Sequence, residues 1–361
     1  MAGETSEAKQ VRIRQADAEY PKAAAALSAM LLKDVRAELR GKRLLIVGDG
    51  ALQYIPFAAL PEPASSINKT AVANSPLLIH HEIVNLPSAS TLAVLRQDLS
   101  GRRLATKAVA ILADPVFDKS DMRVKTTGAA LKSSTQSSPA NGNALERDIE
   151  RAMEDLDGNS RFPPLRLNAA HWEAEEISKL VPERERMQAL DFAANRQTVT
   201  SPELGQYRIV HFATHAFNNS VHPELSGIVL SLVNERGEPQ DGFLRLSEIF
   251  NLKLPTELVV LSGCQTGLGK EVKGEGLIGM TRGFMYAGAP RMVVSLWSVD
   301  DRATSALMAR FYKRMLGGQK QPPSAALRAA QIEMWKETGW KAPYFWAGFI
   351  FQGEWKQMGA N

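Results

Sequence analysis

The stretch LVVLSGCQTG (258–267) ends an apolar run in Cys264, the single cysteine of the 361-residue chain, and RIVHFATH (208–215) ends another in His215. In open α/β sheets, catalytic residues gather beyond the carboxyl ends of the strands. If these two strands are neighbours, the imidazole of His215 can take the thiol proton and produce a thiolate that attacks a carbonyl. Gly263 and Gly267 let the chain turn sharply after the strand. The backbone amides of Cys264 and Ala216 are the candidate donors to a tetrahedral oxyanion.

Each residue also has an ordinary reading. A lone cysteine is most often a small buried residue, and a histidine at a strand end is most often structural. It is the pair, at matching strand ends, that favours chemistry. His211, His215 and His222 raise the possibility of a metal, and HFATH has the i, i+4 spacing of a zinc helix. It lacks the metalloprotease glutamate, however, and reads as a strand, on which positions 211 and 215 lie about 13 Å apart. GEGLIG, with Gly274, Gly276 and Gly279, satisfies a dinucleotide fingerprint, and Asp300 and Asp301 follow a later strand. Nine mostly polar residues separate those glycines from the strand end at Cys264, where a nucleotide loop would begin directly. Asp300, Trp297 and Glu275 are candidates for a substrate pocket that takes a basic or polar side chain. Asp301 reads better as the N-cap of the helix beginning near Ala303.

The elements that must position these residues alternate. Residues 21–40 predict an amphipathic helix, 44–47 a short buried strand, 76–90 a second strand pair, 90–99 a helix and 107–117 a strand buried on both faces. Residues 118–162 are rich in Ser, Thr, Gly, Asn and Lys and read as a flexible insertion. Beyond it, helices at 171–181 and 192–201 and strands at 207–214 and 227–233 precede a helix near Ser247. Strand, helix, strand, helix, helix and a closing strand follow between 257 and 353. Such alternation defines an α/β sandwich around a mostly parallel sheet.

Composition narrows the function. One cysteine excludes an intramolecular disulfide framework. The first twenty residues lack an apolar signal core and no segment is long and apolar enough to span a bilayer, which predicts a cytoplasmic protein with no membrane association. Lys+Arg number 43 against Asp+Glu 39, interspersed, so no basic stripe for nucleic acid is present.

Taken together, RIVHFATHAFNN, HPELSGIVLS, DGFLRLSEI, LVVLSGCQTGLG, GEGLIGMTRGFMYAGAPRMVVSLWSVDD, FYKRML and YFWAGFIFQGEW resemble the ordered motifs of CHAT domains. These are caspase-like cysteine protease modules related to separases and often fused to tetratricopeptide repeats. RLLIVGDGALQYIPFAALP and LPSASTL resemble the family's N-terminal motifs, so the likeness runs from about 21 to 355. The 49 residues between His215 and Cys264 compare with the roughly 50 of caspases.

The resemblance implies a caspase/hemoglobinase-like α/β/α sandwich and a His215–Cys264 dyad, of peptidase clan CD type, that cleaves peptide bonds without metal or organic cofactor. It divides the chain into a disordered 1–20, an N-terminal pseudo-caspase-like part at 21–117, the insertion at 118–162, a catalytic part at 163–355 and a tail at 356–361. It further implies a protein or peptide substrate and a regulatory partner of tetratricopeptide-repeat type. A non-catalytic interaction module that keeps the fold is the competing class. One departure stands out: Ala216 occupies the position after the histidine where family members usually carry Gly.

Overall fold

Strands that read as uninterrupted apolar runs lie in the middle of the sheet, because both of their faces are covered. The computed structural model describes residues 6–63, 75–103, 105–125, 142–157, 162–217, 219, 222–265, 276–297 and 299–356. The strands are β1 (Leu44–Ile46), β2 (Ile83–Asn85), β3 (Lys107–Ala113), β4 (Arg186–Leu190), β5 (Tyr207–Ala213), β6 (Ala216–Phe217), β7 (Gly227–Val229), β8 (Phe243–Arg245), β9 (Leu258–Leu261), β10 (Cys264–Gln265), β11 (Arg291–Ser295) and β12 (Phe349–Gly353). The helices are α1 (Ser6–Leu32), α2 (Arg36–Leu39), α3 (Ala89–Leu99), α4 (Gly142–Asp157), α5 (Asn168–Ser178), α6 (Arg196–Thr200), α7 (Leu246–Ile249), α8 (Gly276–Tyr286), α9 (Asp301–Leu316) and α10 (Pro323–Lys336).

Eight strands form one sheet in the order β1-β2-β12-β11-β9-β5-β3-β4. All neighbours are parallel except β11 and β12. Successive side chains alternate between the two faces. One set, including Val109, Ile111, Ile209, Val260 and Val293, packs beneath α5, α9 and α10. The other, including Ala110, Leu112, Phe212, Val259 and Val294, packs with α7 and α8. The result is the α/β/α sandwich with a mostly parallel sheet that the sequence predicts. Among the described residues, no helix is long and apolar enough to cross a membrane.

Several expectations need correction. Residues 6–20, expected to be disordered, belong to α1, which starts fifteen residues before the expected helix. Residues 14–19 are exposed, so no apolar stripe marks them; from Tyr20 and Ala24 onward the helix enters the small core of Leu44, Phe57, Leu60 and Leu77. The insertion expected to be flexible contains α4, whose Ile149, Ala152 and Met153 are buried with Phe217, Val229 and Phe243. Residues 126–141 of that insertion and 357–361 of the tail lie outside the described residues. β1 is an edge strand with Leu45 exposed rather than a buried one, and 76–90 holds one strand, β2, instead of a pair. Strand β3, placed with the N-terminal part by the boundary at 117, is paired on both sides with strands of the C-terminal part. The pairing follows from its apolar run, which needs cover on both faces.

Candidate active site

Because β3, β5, β9 and β11 run parallel, Asp114, His215, Cys264 and Trp297 all follow strand ends along one edge. A second sheet of short strands, in the order β10-β6-β7-β8, is built from the chain just beyond that edge. Between β5 and β9, Phe212 pairs with Leu261; between β6 and β10, Ala216 pairs with Cys264. The histidine chain uses one more residue than the cysteine chain to cover this interval. An extra residue of this kind bends a strand and re-aims its side chains. Neighbouring strands run about 4.8 Å apart, so the backbone of Cys264 stands beside Ala216, the residue bonded to His215. The position of the thiol itself lies outside the described residues.

His215 is buried, its ring lying against Phe117 and Phe217. Its Nε2 is 2.6 Å from the carbonyl oxygen of Leu165. A carbonyl can only accept, so Nε2 carries the proton and Nδ1 presents a lone pair. That Nδ1 is buried and has no hydrogen-bond partner among the described residues. Burial pushes the imidazole pKa below its ordinary value, and the bond to the Leu165 carbonyl opposes that shift. The neutral ring is therefore a base with its accepting nitrogen held ready. The histidine backbone is also tied down, its carbonyl accepting from the Val229 amide at 2.8 Å.

Gly263 has a steric reason. A Cβ there would sit 2.3 Å from the Thr214 carbonyl oxygen and 2.9 Å from Leu167 Cδ1. Ala216 sits in β6 and is absent from the non-glycine residues with positive φ, which are Asp114, Asp191 and Lys320. Its backbone needs no glycine, and its methyl group is part of the core.

The remaining predicted residues are distributed as follows. Asp300, not Asp301, caps α9, its Oδ1 accepting from Ala303 at 3.0 Å. Asp301 instead accepts from the Ala169 amide at 2.8 Å, a correction to the expected cap; burial raises its pKa and this bond lowers it. The helix starts two residues earlier than Ala303, which moves the cap position back. Trp297 Nε1 donates to the Tyr344 carbonyl at 3.3 Å. Glu275 and Gly274 lie outside the described residues. Gly279 and Gly283 face Leu246, 3.4 and 3.0 Å from where their Cβ atoms would be, so they permit close approach of α8 to α7.

The three histidines do not gather. His211 is buried between Glu173, 2.7 Å from its Nε2 though out of line for a hydrogen bond, and the Tyr312 hydroxyl, 3.0 Å from its Nδ1. His222 Nε2 lies 2.9 Å from Arg151. A different group, Asp114, His171 and Asp191, brings ligand-type atoms within 4.8 Å of one another. The guanidiniums of Arg123 and Arg166 already neutralise these carboxylates, which makes the cluster a salt-bridge network. A cleft of about 350 Å³ lies at the opposite ends of the same strands, lined by Arg208, Glu257 and Arg291. In it Arg208 is paired with Glu257 and Arg291 with the Glu354 carbonyl, and it is remote from His215.

Sequence reasoning missed Leu165 and Asp114. The carbonyl of Leu165 could belong to any residue type and leaves no signal, whereas Asp114 directly follows an apolar strand in AILADP and could have been noticed.

The sheet edge thus carries a histidine with a buried Nδ1, unpaired among the described residues, beside the backbone of a cysteine, on an α/β/α frame. The chain matches the CHAT domain over residues 21–354 and belongs to that family. Tetratricopeptide repeat protein 28 of Homo sapiens is 30% identical over 236 residues, which are 56% of this chain and 9% of the relative. The chain thus spans about a tenth of the length of the curated relative it matches. Among solved structures, a Saccharomyces cerevisiae separase–securin complex aligns with 86% of this chain and 16% of that one, at 12% identity and a TM-score of 0.46. The Arg specific cysteine proteinase gingipain R aligns with 90% of this chain and 67% of that one, at 10% identity and a TM-score of 0.44.

Proposed function

We propose that this CHAT domain is a cysteine endopeptidase acting on a protein substrate through His215 and Cys264, under the control of a regulatory protein partner. The observation that carries the reading is the His215 imidazole, fixed by Leu165 with Nδ1 free and buried, next to the backbone of Cys264. In the reaction, Nδ1 takes the thiol proton as sulfur bonds to the scissile carbonyl carbon, and the amides of Cys264 and Ala216 receive the oxyanion. Collapse breaks the C–N bond, the imidazolium protonates the leaving amine, and a thioester remains. Water, deprotonated by Nδ1, attacks the thioester, and the thiol departs with the returned proton. None of these steps calls on a metal or organic cofactor. The tetratricopeptide-repeat name of the relative supports a regulator of that type.

The test is covalent labelling by an electrophilic peptide. Labelling is expected to be faster than that of free cysteine and to vanish in Cys264→Ala. A Cys264 that reacts no faster than free cysteine overturns the reading and leaves a non-catalytic interaction module. Gly263→Ala is expected to slow labelling by about 10²-fold with a folded protein, because its methyl would push against the backbone leading into His215. Labelling rates and a thermal melt, measured together, separate the two effects.

For specificity, Asp300 and Asp301 are both committed to backbone amides, and Leu167 lies against Gly263. With Trp297 as a further wall, the pocket is expected to favour an apolar residue before the cut. A peptide-library profile checks this; a preference for Arg or Lys would return Asp300 to the pocket.

A further inference from the structure

We propose that Asp114 and Arg166 form a positioning pair that holds the Leu165 carbonyl against His215 Nε2, and thereby sets the tautomer of the base. The inference deepens the reading of the same site given above. The Leu165 side chain is 59% exposed, so its own packing does not place that carbonyl. The next residue does. Arg166 meets Asp114 through two parallel bonds, Nε to Oδ1 at 2.8 Å and Nη2 to Oδ2 at 2.5 Å. Such a fork fixes orientation as well as distance.

Asp114 in turn shares a backbone frame with the histidine. It follows Ala113, the register partner of Ala213, and its amide donates to the Ala213 carbonyl at 3.3 Å, two residues before His215. The carboxylate is 1% exposed, on a backbone with φ of 51°. A left-handed non-glycine conformation costs on the order of 1–2 kcal/mol and persists where surroundings over-determine it. Asp tolerates it better than most residues. Beyond Leu165, the segment is pinned again by Asp301 on the Ala169 amide. The segment that leads on from Leu165 is therefore clamped twice, at Arg166 to the end of β3 and at Ala169 to α9.

Charge neutralisation alone does not explain Arg166. Arg123 Nη1 already stands 3.2 Å from Asp114 and is itself held by Asp121 and Asp191, while His171 Nδ1 lies 3.5 Å from the same carboxylate. Removing Arg166, a partly exposed side chain, leaves Asp114 paired and opens no core cavity. What is lost is the fixed carbonyl.

The experiment compares the protein with Arg166→Ala and Arg166→Lys, using nitrogen NMR of the His215 ring and the pH profile of Cys264 alkylation by iodoacetamide. The native ring is expected as the Nε2–H tautomer. Arg166→Ala should mix the tautomers, slow alkylation by about ten- to a hundredfold and move its pH profile, with the melting transition retained. Arg166→Lys, which keeps charge but not the fork, should fall between. A native tautomer and pH profile in Arg166→Ala overturns the positioning role. A tautomer that mixes in the variant while the native thiol behaves as free cysteine supports the clamp and overturns the peptidase reading, so the two failures are distinct.

Discussion

His215→Ala is expected to slow acylation of Cys264 by about 10²- to 10⁴-fold, the range a positioned general base supplies. The size follows from the burial of Nδ1 of His215 and from the engagement of the nearby described histidines, His211 with Glu173 and Tyr312 and His222 with Arg151. The pH dependence has a definite sign. Only the neutral ring can accept the thiol proton, so activity falls as pH drops through the imidazole pKa. Burial places that pKa below the ordinary value of about 6.5, so the acid limb of the rate profile is expected below pH 6.5. An acid limb above it would indicate a thiolate–imidazolium pair in the resting protein. The same shift acts on stability. A ring kept neutral in the fold stabilises it fully above the unfolded pKa, and the contribution is lost as pH falls toward the folded pKa. His215→Ala should therefore flatten the fall of stability on acidification, measured by urea unfolding across about pH 5 to 8.

Initial rates with a cleavable peptide across that range measure the first effect. A variant with native rates would mean that the thiol loses its proton to solvent, and His215 would be structural.

The placing of His215 and Cys264 beyond neighbouring strand ends was legible because an apolar run that stops at a chemically competent residue is a one-dimensional signal. His215 and Cys264 each end such a run, and parallel pairing of β5 with β9 follows from burial on both faces. What surrounds these two residues depends on contacts between distant segments. The Leu165 carbonyl could belong to any residue type, and the Asp114–Arg166 fork joins residues 52 positions apart.

Other misses have local causes. In α4, Leu145, Ile149, Ala152 and Met153 recur at helical spacing, but polar low-complexity sequence on their N-terminal side hides the pattern. The strand β4, RMQAL, mixes polar with apolar residues because it lies at the sheet's edge, where one side needs no cover. The two-residue strands β6 and β10 are too short to carry a period at all, yet they bring Ala216 and Cys264 side by side.

Glu173→Leu is expected to destabilise the fold by about 2–5 kcal/mol, the cost of taking a buried carboxylate away from the His211 ring and from the Ser305 hydroxyl. Glu173 projects from α5 into the layer beneath the sheet, where it is 1% exposed. Its Oε1 stands 2.7 Å from His211 Nε2, and its Oε2 accepts from the Ser305 hydroxyl at 3.2 Å. His211 reaches the Tyr312 hydroxyl through its other nitrogen. Burial, reinforced by the Glu173 charge, raises the Tyr312 pKa well above its ordinary value, so the hydroxyl keeps its proton and can donate to Nδ1. Leucine removes the carboxylate that stands beside His211 and one of the acceptors of the Ser305 hydroxyl together. The double variant Glu173→Leu, His211→Leu replaces both partners by apolar groups and should recover part of the loss, retaining mainly the penalty of about 1–3 kcal/mol for the Tyr312 hydroxyl left without its partner. Urea midpoints at unchanged m-value measure both. Additive losses in the double variant would show that Glu173 and His211 contribute separately, as packing residues. A recovery would show that they act as one unit, tying α5 to β5. That unit joins the helix entered from Leu165 to the strand that delivers His215, so the network lies under both partners of the Nε2 hydrogen bond.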